Sequence, residues 1–306
     1  MRLRSLSVAV LAALSLSALA ALPSPASAKP LIGIADQKPD MFADPRFVAL
    51  QLKTARYFVP FDVSTNPFQL ARLDAWMAGA ARDGIAPLIT MERSSNARTR
   101  KKGAPSVAAY RKAVRYLRQR YPFVTAYSAW NEPNDGGQPT FRKPQLLASY
   151  TKVLQQECKG CKILAGDLLD NPNMVSYARQ VEKALKKPAK IWGLHSYSDA
   201  NNFRTTSTKK LLKGVKGKVW LTEVGGVVAR RSAFSKATFK GQGEAHAAKA
   251  TSYLFKTIAK LSPRIERMYL YHWNSASPND SWDSAFIGPD GRERPALALL
   301  RKQLGR

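Results

Sequence analysis

Three segments decide the fold: APLITME at 86–92, SVAAYRKAVRYLRQ at 106–119 and VTAYSAWNEPN at 124–134. The first and third are short apolar runs, as expected of strands buried on both faces. Between them Val107, Tyr110, Val114 and Leu117 recur at the helical period, and Ser106 stands where an N-cap belongs. Strand, helix, strand in that order gives a parallel pair joined by a right-handed crossover.

The same unit recurs along the chain. Candidate strands fall at 31–35, 55–61, 86–91, 124–130, 162–166, 191–197, 218–224 and 268–273. Helical patterns fall at 67–81, 174–186, 208–214, 244–261 and 296–304. The first of these helices carries Leu70, Leu73, Trp76, Met77 and Ala80 on one face, with Gly84 placed to end it. Asp44-Pro45, Lys143-Pro144 and Arg294-Pro295 put proline where a first helical turn accepts it. Eight such units predict an α/β fold, a single-domain (β/α)8 barrel over residues 29–306. A doubly wound open sheet would need a glycine-rich loop after its first strand, and Ile34-Ala35-Asp36-Gln37-Lys38 has none.

Residues 1–28 read as a removable secretory signal peptide: Arg2 and Arg4, an apolar run over 6–22, and Ala26-Ser27-Ala28 at cleavage spacing. A retained anchor is the other reading, since the run is near the shortest that spans a bilayer. Cleavage leaves 278 residues and lowers the formal charge from +28 to +26, because two arginines leave and no acidic residue does. The product is expected to be secreted and monomeric, without stable membrane insertion, its positive field favouring anionic partners and retention at the cell surface. Nucleic acid is disfavoured as a partner, for neither a recognition motif nor a basic helix stands out. Cys158 and Cys161, in Cys-Lys-Gly-Cys, are expected to form a local disulfide in an oxidising compartment.

In a barrel of this kind, function sits at the carboxyl ends of the strands. Those ends carry Asp36, Asp62, Glu92, Asn131-Glu132, Asp167, His195 with Tyr197, Glu223 and Trp273-Asn274. Glu132 and Glu223, ending strands four and seven, face each other across the mouth. Paired carboxylates across a cleft suit glycosidic cleavage, where one protonates the leaving oxygen and the other meets the charge developing at the sugar carbon.

Asn-Glu-Pro ending strand four, a second Glu ending strand seven and eight βα units resemble the clan A retaining glycoside hydrolases, which include cellulases, mannanases, xylosidases and β-glucanases. The resemblance covers residues 29–306 and selects no family within the clan. It implies that Glu132 is the general acid/base and Glu223 the nucleophile, in a reaction on a β-linked oligo- or polysaccharide that needs no metal or organic cofactor. It further implies that Asn131 contacts the sugar 2-hydroxyl, that the His195-x-Tyr197 element brings Tyr197 to the nucleophile, and that Arg56 holds Glu223 ionised. By the same resemblance Trp273 floors the sugar site and precedes a cis peptide bond to Asn274. Trp282, in the polar stretch 277–284, is a further sugar-stacking candidate, whereas Trp76 and Trp220 are expected to pack, the latter pointing outward. Where relatives carry histidine at the end of strand three this chain has Met91-Glu92-Arg93, so Glu92 is either a third carboxylate in the cleft or a partner for Arg93. The competing reading is an inactive barrel that only binds an anionic cell-surface polysaccharide.

Overall fold

The computed structural model describes residues 29–231 and 239–306, so the expected signal peptide lies outside the described residues. The strands are β1 (Leu31–Ala35), β2 (Thr54–Pro60), β3 (Ala86–Glu92), β4 (Ala126–Ser128), β5 (Lys162–Leu169), β6 (Ile191–His195), β7 (Lys218–Val224), β8 (Ala229–Arg230), β9 (Ile265–Tyr271) and β10 (Trp282–Asp283). All but β8 and β10 run parallel in a closed barrel ordered β1-β2-β3-β4-β5-β6-β7-β9, closed by β1 on β9 from Leu31↔Arg267 to Ala35↔Tyr271. The eight expected strands are therefore the eight staves of the barrel. The short strands β8 and β10 pair as an antiparallel ribbon, Trp282 opposite Arg230.

Around the barrel lie α1 (Pro45–Val48), α2 (Pro67–Arg82), α3 (Ala97–Lys101), α4 (Val107–Arg120), α5 (Pro144–Glu157), α6 (Met174–Leu185), α7 (Tyr197–Asn201), α8 (Thr206–Gly214), α9 (Glu244–Lys256) and α10 (Pro295–Leu304). Their ends follow local chemistry. Proline opens α1, α2, α5 and α10, where the missing N–H costs no helical bond. Ser106 Oγ accepts from Ala109 N at 3.2 Å and caps α4. Gly84, with φ +63°, turns the chain after α2, a conformation an L side chain resists.

Apolar side chains fill two zones. Outside the strands, Trp76 of α2 lies edge-on between Phe42 and Tyr57, and Tyr110 of α4 stacks on Tyr150 of α5 at 4.0 Å. Inside the barrel sit Ala35, Leu88, Ala126, Leu164, Ile191, Trp220 and Tyr269, one from each of seven strands. Trp220 thus points inward, contrary to expectation, with the Arg267 guanidinium 4.1 Å over its ring. Strict alternation from Glu223 predicted the opposite side. Register shifts in the β7–β9 pairing, one of them between Leu221 and Val224, break that alternation.

Two strands are shorter than expected at the mouth. β4 keeps only three ladder residues, and the chain beyond it is held by Asn131 N to Met91 O at 2.8 Å and a bridge to Asp167. β6 stops at His195, and Tyr197 opens α7 instead of extending the strand. Cys158 and Cys161 are paired across the turn from α5 to β5. Among the described residues no helix is long and apolar enough to cross a membrane.

Candidate active site

Strand β2 buries Ala55, Tyr57 and Val59 against the helices, so Thr54 and Arg56 face the barrel axis. Arg56 is fully buried. An isolated buried guanidinium is costly, and here every arm has an acceptor. Nε and Nη2 donate to Asp167 Oδ2 at 3.1 and 2.8 Å, Nη1 donates to Glu223 Oε2 at 2.9 Å, and Nη2 also donates to Asn131 Oδ1 at 2.6 Å. Asp167 is itself satisfied by Ser128 Oγ at 2.6 Å and Thr90 Oγ1 at 2.8 Å. Gly193 makes room for this carboxylate, because a Cβ there would stand 2.2 Å from Asp167 Oδ1.

Glu223 is gripped at both oxygens. Arg56 holds Oε2, and Tyr197 OH donates to Oε1 at 3.1 Å. Burial and the Glu223 charge push the Tyr197 phenol well above its ordinary value, which keeps that donor protonated. His195 spans the two candidate carboxylates: Nδ1 lies 2.8 Å from Glu132 Oε1, and Nε2 lies 4.0 Å from Glu223 Oε2 and 3.3 Å from Arg56 Nη2. Burial disfavours the imidazolium, but the charges of Glu223 and Glu132 outweigh it and hold His195 above its ordinary value. Burial likewise pushes Glu132 up, while the His195 hydrogen bond and the charges of His195 and Arg56 bring it below the usual carboxylate value.

Glu132 adopts φ +46° immediately before Pro133, a left-handed conformation that costs a non-glycine residue about 1–3 kcal/mol. The following turn is braced by Asn134, fully buried, whose Nδ2 donates to Leu169 O, Asn171 Oδ1 and Asn173 Oδ1 at 2.7–3.0 Å and whose Oδ1 accepts from Leu169 N at 2.8 Å. Two further carboxyls flank the centre. Burial and the Glu132 charge push Glu92 up to about 7, and burial pushes Asp170, which follows β5, up to about 7.

Arg56, Asn131, Glu132, His195, Tyr197 and Glu223 therefore converge on one polar network. Trp282 joins its edge, meeting the Tyr197 ring at 4.6 Å while Nε1 donates to Ser284 Oγ. Trp273 does not join it. It is fully buried, edge-on to Phe47, with Nε1 donating to Asp44 Oδ2 at 3.0 Å, and so has no open face to offer a sugar. The cis peptide bond lies at Tyr271–His272, not after Trp273. Tyr271, two residues earlier than Trp273, is a second tyrosine near Glu223, its phenol raised by burial and by that carboxylate's charge. Sequence reasoning noted Asp167 at a strand end without a role and missed Tyr271. The usable signal for Asp167 was a carboxylate inside an otherwise apolar strand beside a glycine.

No protein-family description and no curated protein sequence matches the chain. Solved structures do. Xylanase 10B from Thermotoga maritima superposes with TM-score 0.64 at 9% identity, over 90% of this chain and 94% of that one. A glucosidase from Croceicoccus marinus gives 0.63 at 13%, over 90% and 67%. A GH113 beta-1,4-mannanase gives 0.55 at 10%, over 90% and 98%. The chain has the closed (β/α)8 barrel fold of these glycoside hydrolases.

Proposed function

We propose that this protein is an exported retaining glycoside hydrolase acting on a β-linked oligo- or polysaccharide. The observation that carries the reading is the double grip on Glu223 by Arg56 and Tyr197, with His195 joining it to Glu132. A carboxylate fastened at both oxygens by a cation and a phenol is oriented for attack. Glu223 attacks the anomeric carbon as the bond to the leaving oxygen breaks, and Glu132 gives that oxygen its proton. In the second half water attacks the glycosyl ester, Glu132 takes the proton from water, and Glu223 leaves as a carboxylate. Asn131, its Oδ1 held by Arg56, leaves its amide N–H for the sugar 2-hydroxyl, a contact that strengthens in the transition state. Tyr271 and Trp282 supply aromatic surface for the ring, in place of the buried Trp273. The signal-peptide pattern read in the sequence at 1–28 supports export. The solved neighbours include a xylanase, a glucosidase and a mannanase, which supports a β-linked substrate without choosing the sugar.

Glu223→Ala and Glu132→Ala proteins should each lose turnover of β-glycosides by at least about a thousandfold while keeping the wild-type melting transition. Azide should restore part of the lost activity as a glycosyl azide, its anomeric configuration identifying the residue removed. Undiminished hydrolysis in either variant contradicts the mechanism. Binding to an anionic glycan array without release of reducing sugar would instead favour a barrel that only binds.

A further inference from the structure

Glu132 must carry a proton to assist the leaving oxygen, yet His195 and Arg56 favour its carboxylate. Burial and the charge of Asp167 oppose them, and the end of β3 brings a further carboxyl to the same side of the barrel mouth. Glu92 is buried and closes β3 opposite Pro60 of β2, one residue beyond Met91, whose carbonyl accepts from Asn131 N at 2.8 Å, so Glu92 and Glu132 end neighbouring strands. Gln138 Nε2 donates to Glu92 Oε1 at 3.3 Å and Gln138 Oε1 accepts from Trp130 Nε1 at 3.1 Å, tying the carboxyl to the chain that follows β4.

The other charges around it are accounted for. Arg93 Nε is 3.5 Å away, but that side chain is largely exposed and its Nη1 donates to Gly137 O at 2.8 Å. Asp62, from the β2 connection, accepts Ser94 Oγ at 2.5 Å. Arg56 is occupied by Asp167, Glu223 and Asn131, and His195 by Glu132. Among the described residues no buried cation pairs with Glu92. Two carboxyls of like charge on neighbouring strand ends resist ionising together.

We propose that Glu92 is a positioning residue for the acid step: its carboxylate raises the proton affinity of Glu132, so the pair keeps one proton for the leaving oxygen. This rests on the hydrolase reading above.

The test uses the full chain with 2,4-dinitrophenyl and phenyl β-glycosides of glucose, mannose and xylose, whose leaving groups differ in their need for a proton. Glu92→Gln keeps the shape and an acceptor for Gln138 but removes the charge. Without a neighbouring anion Glu132 loses its proton at lower pH. For phenyl glycosides the alkaline limb of kcat/KM should therefore move down by about one pH unit, with an about fivefold lower value at pH 7. For dinitrophenyl glycosides kcat/KM should stay at the wild-type value. An unshifted limb in an active Glu92→Gln enzyme overturns the proposal and leaves the hydrolase reading standing.

A second measurement needs no activity. In protein labelled with 13C-glutamate, one carboxyl should titrate near pH 7, and its midpoint should fall in Glu132→Gln. A midpoint that stays put overturns the coupling, whether or not the enzyme turns over any of the six glycosides.

Discussion

Arg56 shows how a single residue organises the site. A charge with no exposure is tolerated because Asp167 and Glu223 neutralise it and its donors have acceptors in fixed directions. Replacing Arg56 by Leu would leave two buried carboxylates without their cation. We expect a loss of about 3–5 kcal/mol in denaturant unfolding, together with loss of activity; a variant as stable as wild type would refute this account. The residue was legible in sequence as an arginine inside an apolar strand, and its resemblance to a clan arginine pointed to Glu223. Its stronger tie to Asp167 was not legible, because Asp167 lies on β5 and meets Arg56 only across the barrel axis.

At the scale of elements, the staves follow from apolar runs and the helices from period and caps. The ends of the staves do not. β4 and β6 stop early and the pairing of β7 shifts register, because the backbone leaves the ladder there to aim side chains at the mouth. Those departures put Trp220 inside the barrel and Tyr197 at the start of α7, where its hydroxyl reaches Glu223. The strained Glu132 turn is held by the Asn134 latch between the connections that follow β4 and β5. Asn134→Ala would leave several buried polar groups without partners. It should cost about 1–3 kcal/mol and make the connection at 133–143 cleavable by dilute protease. Unchanged melting and unchanged protease resistance would show that the latch does not hold the turn.

At the scale of the whole molecule, charge is unevenly spread. Residues 93–131 contain ten Arg or Lys and no Asp or Glu. Arg111 and Arg115 pair with Glu157 and Arg120 pairs with Asp74, but Arg98, Lys101 and Lys102, on the connection leaving the carboxyl end of β3, enter no ion pair among the described residues. That cationic stretch follows the carboxyl end of β3, and the anionic partner expected from the charge predicts an electrostatic effect there. Lys101→Glu combined with Lys102→Glu should lower kcat/KM severalfold on carboxymethylated β-glucan at low salt. The effect should be smaller on the unmodified glucan and should fade at about 0.5 M salt, where the Debye length is only a few ångströms. Equal losses on both polymers at all salt concentrations would count against that effect. By itself, the sequence determined the eight parallel staves and the end of the barrel at which polar residues, Glu132 and Glu223 among them, collect, because burial periodicity, caps and strand-end polarity are local properties of the chain. Only the tertiary structure decided which aromatic residue reaches the site, which carboxylate holds Arg56 and which proton affinities result. Those depend on register and on distances between residues of different staves, set when the barrel closes.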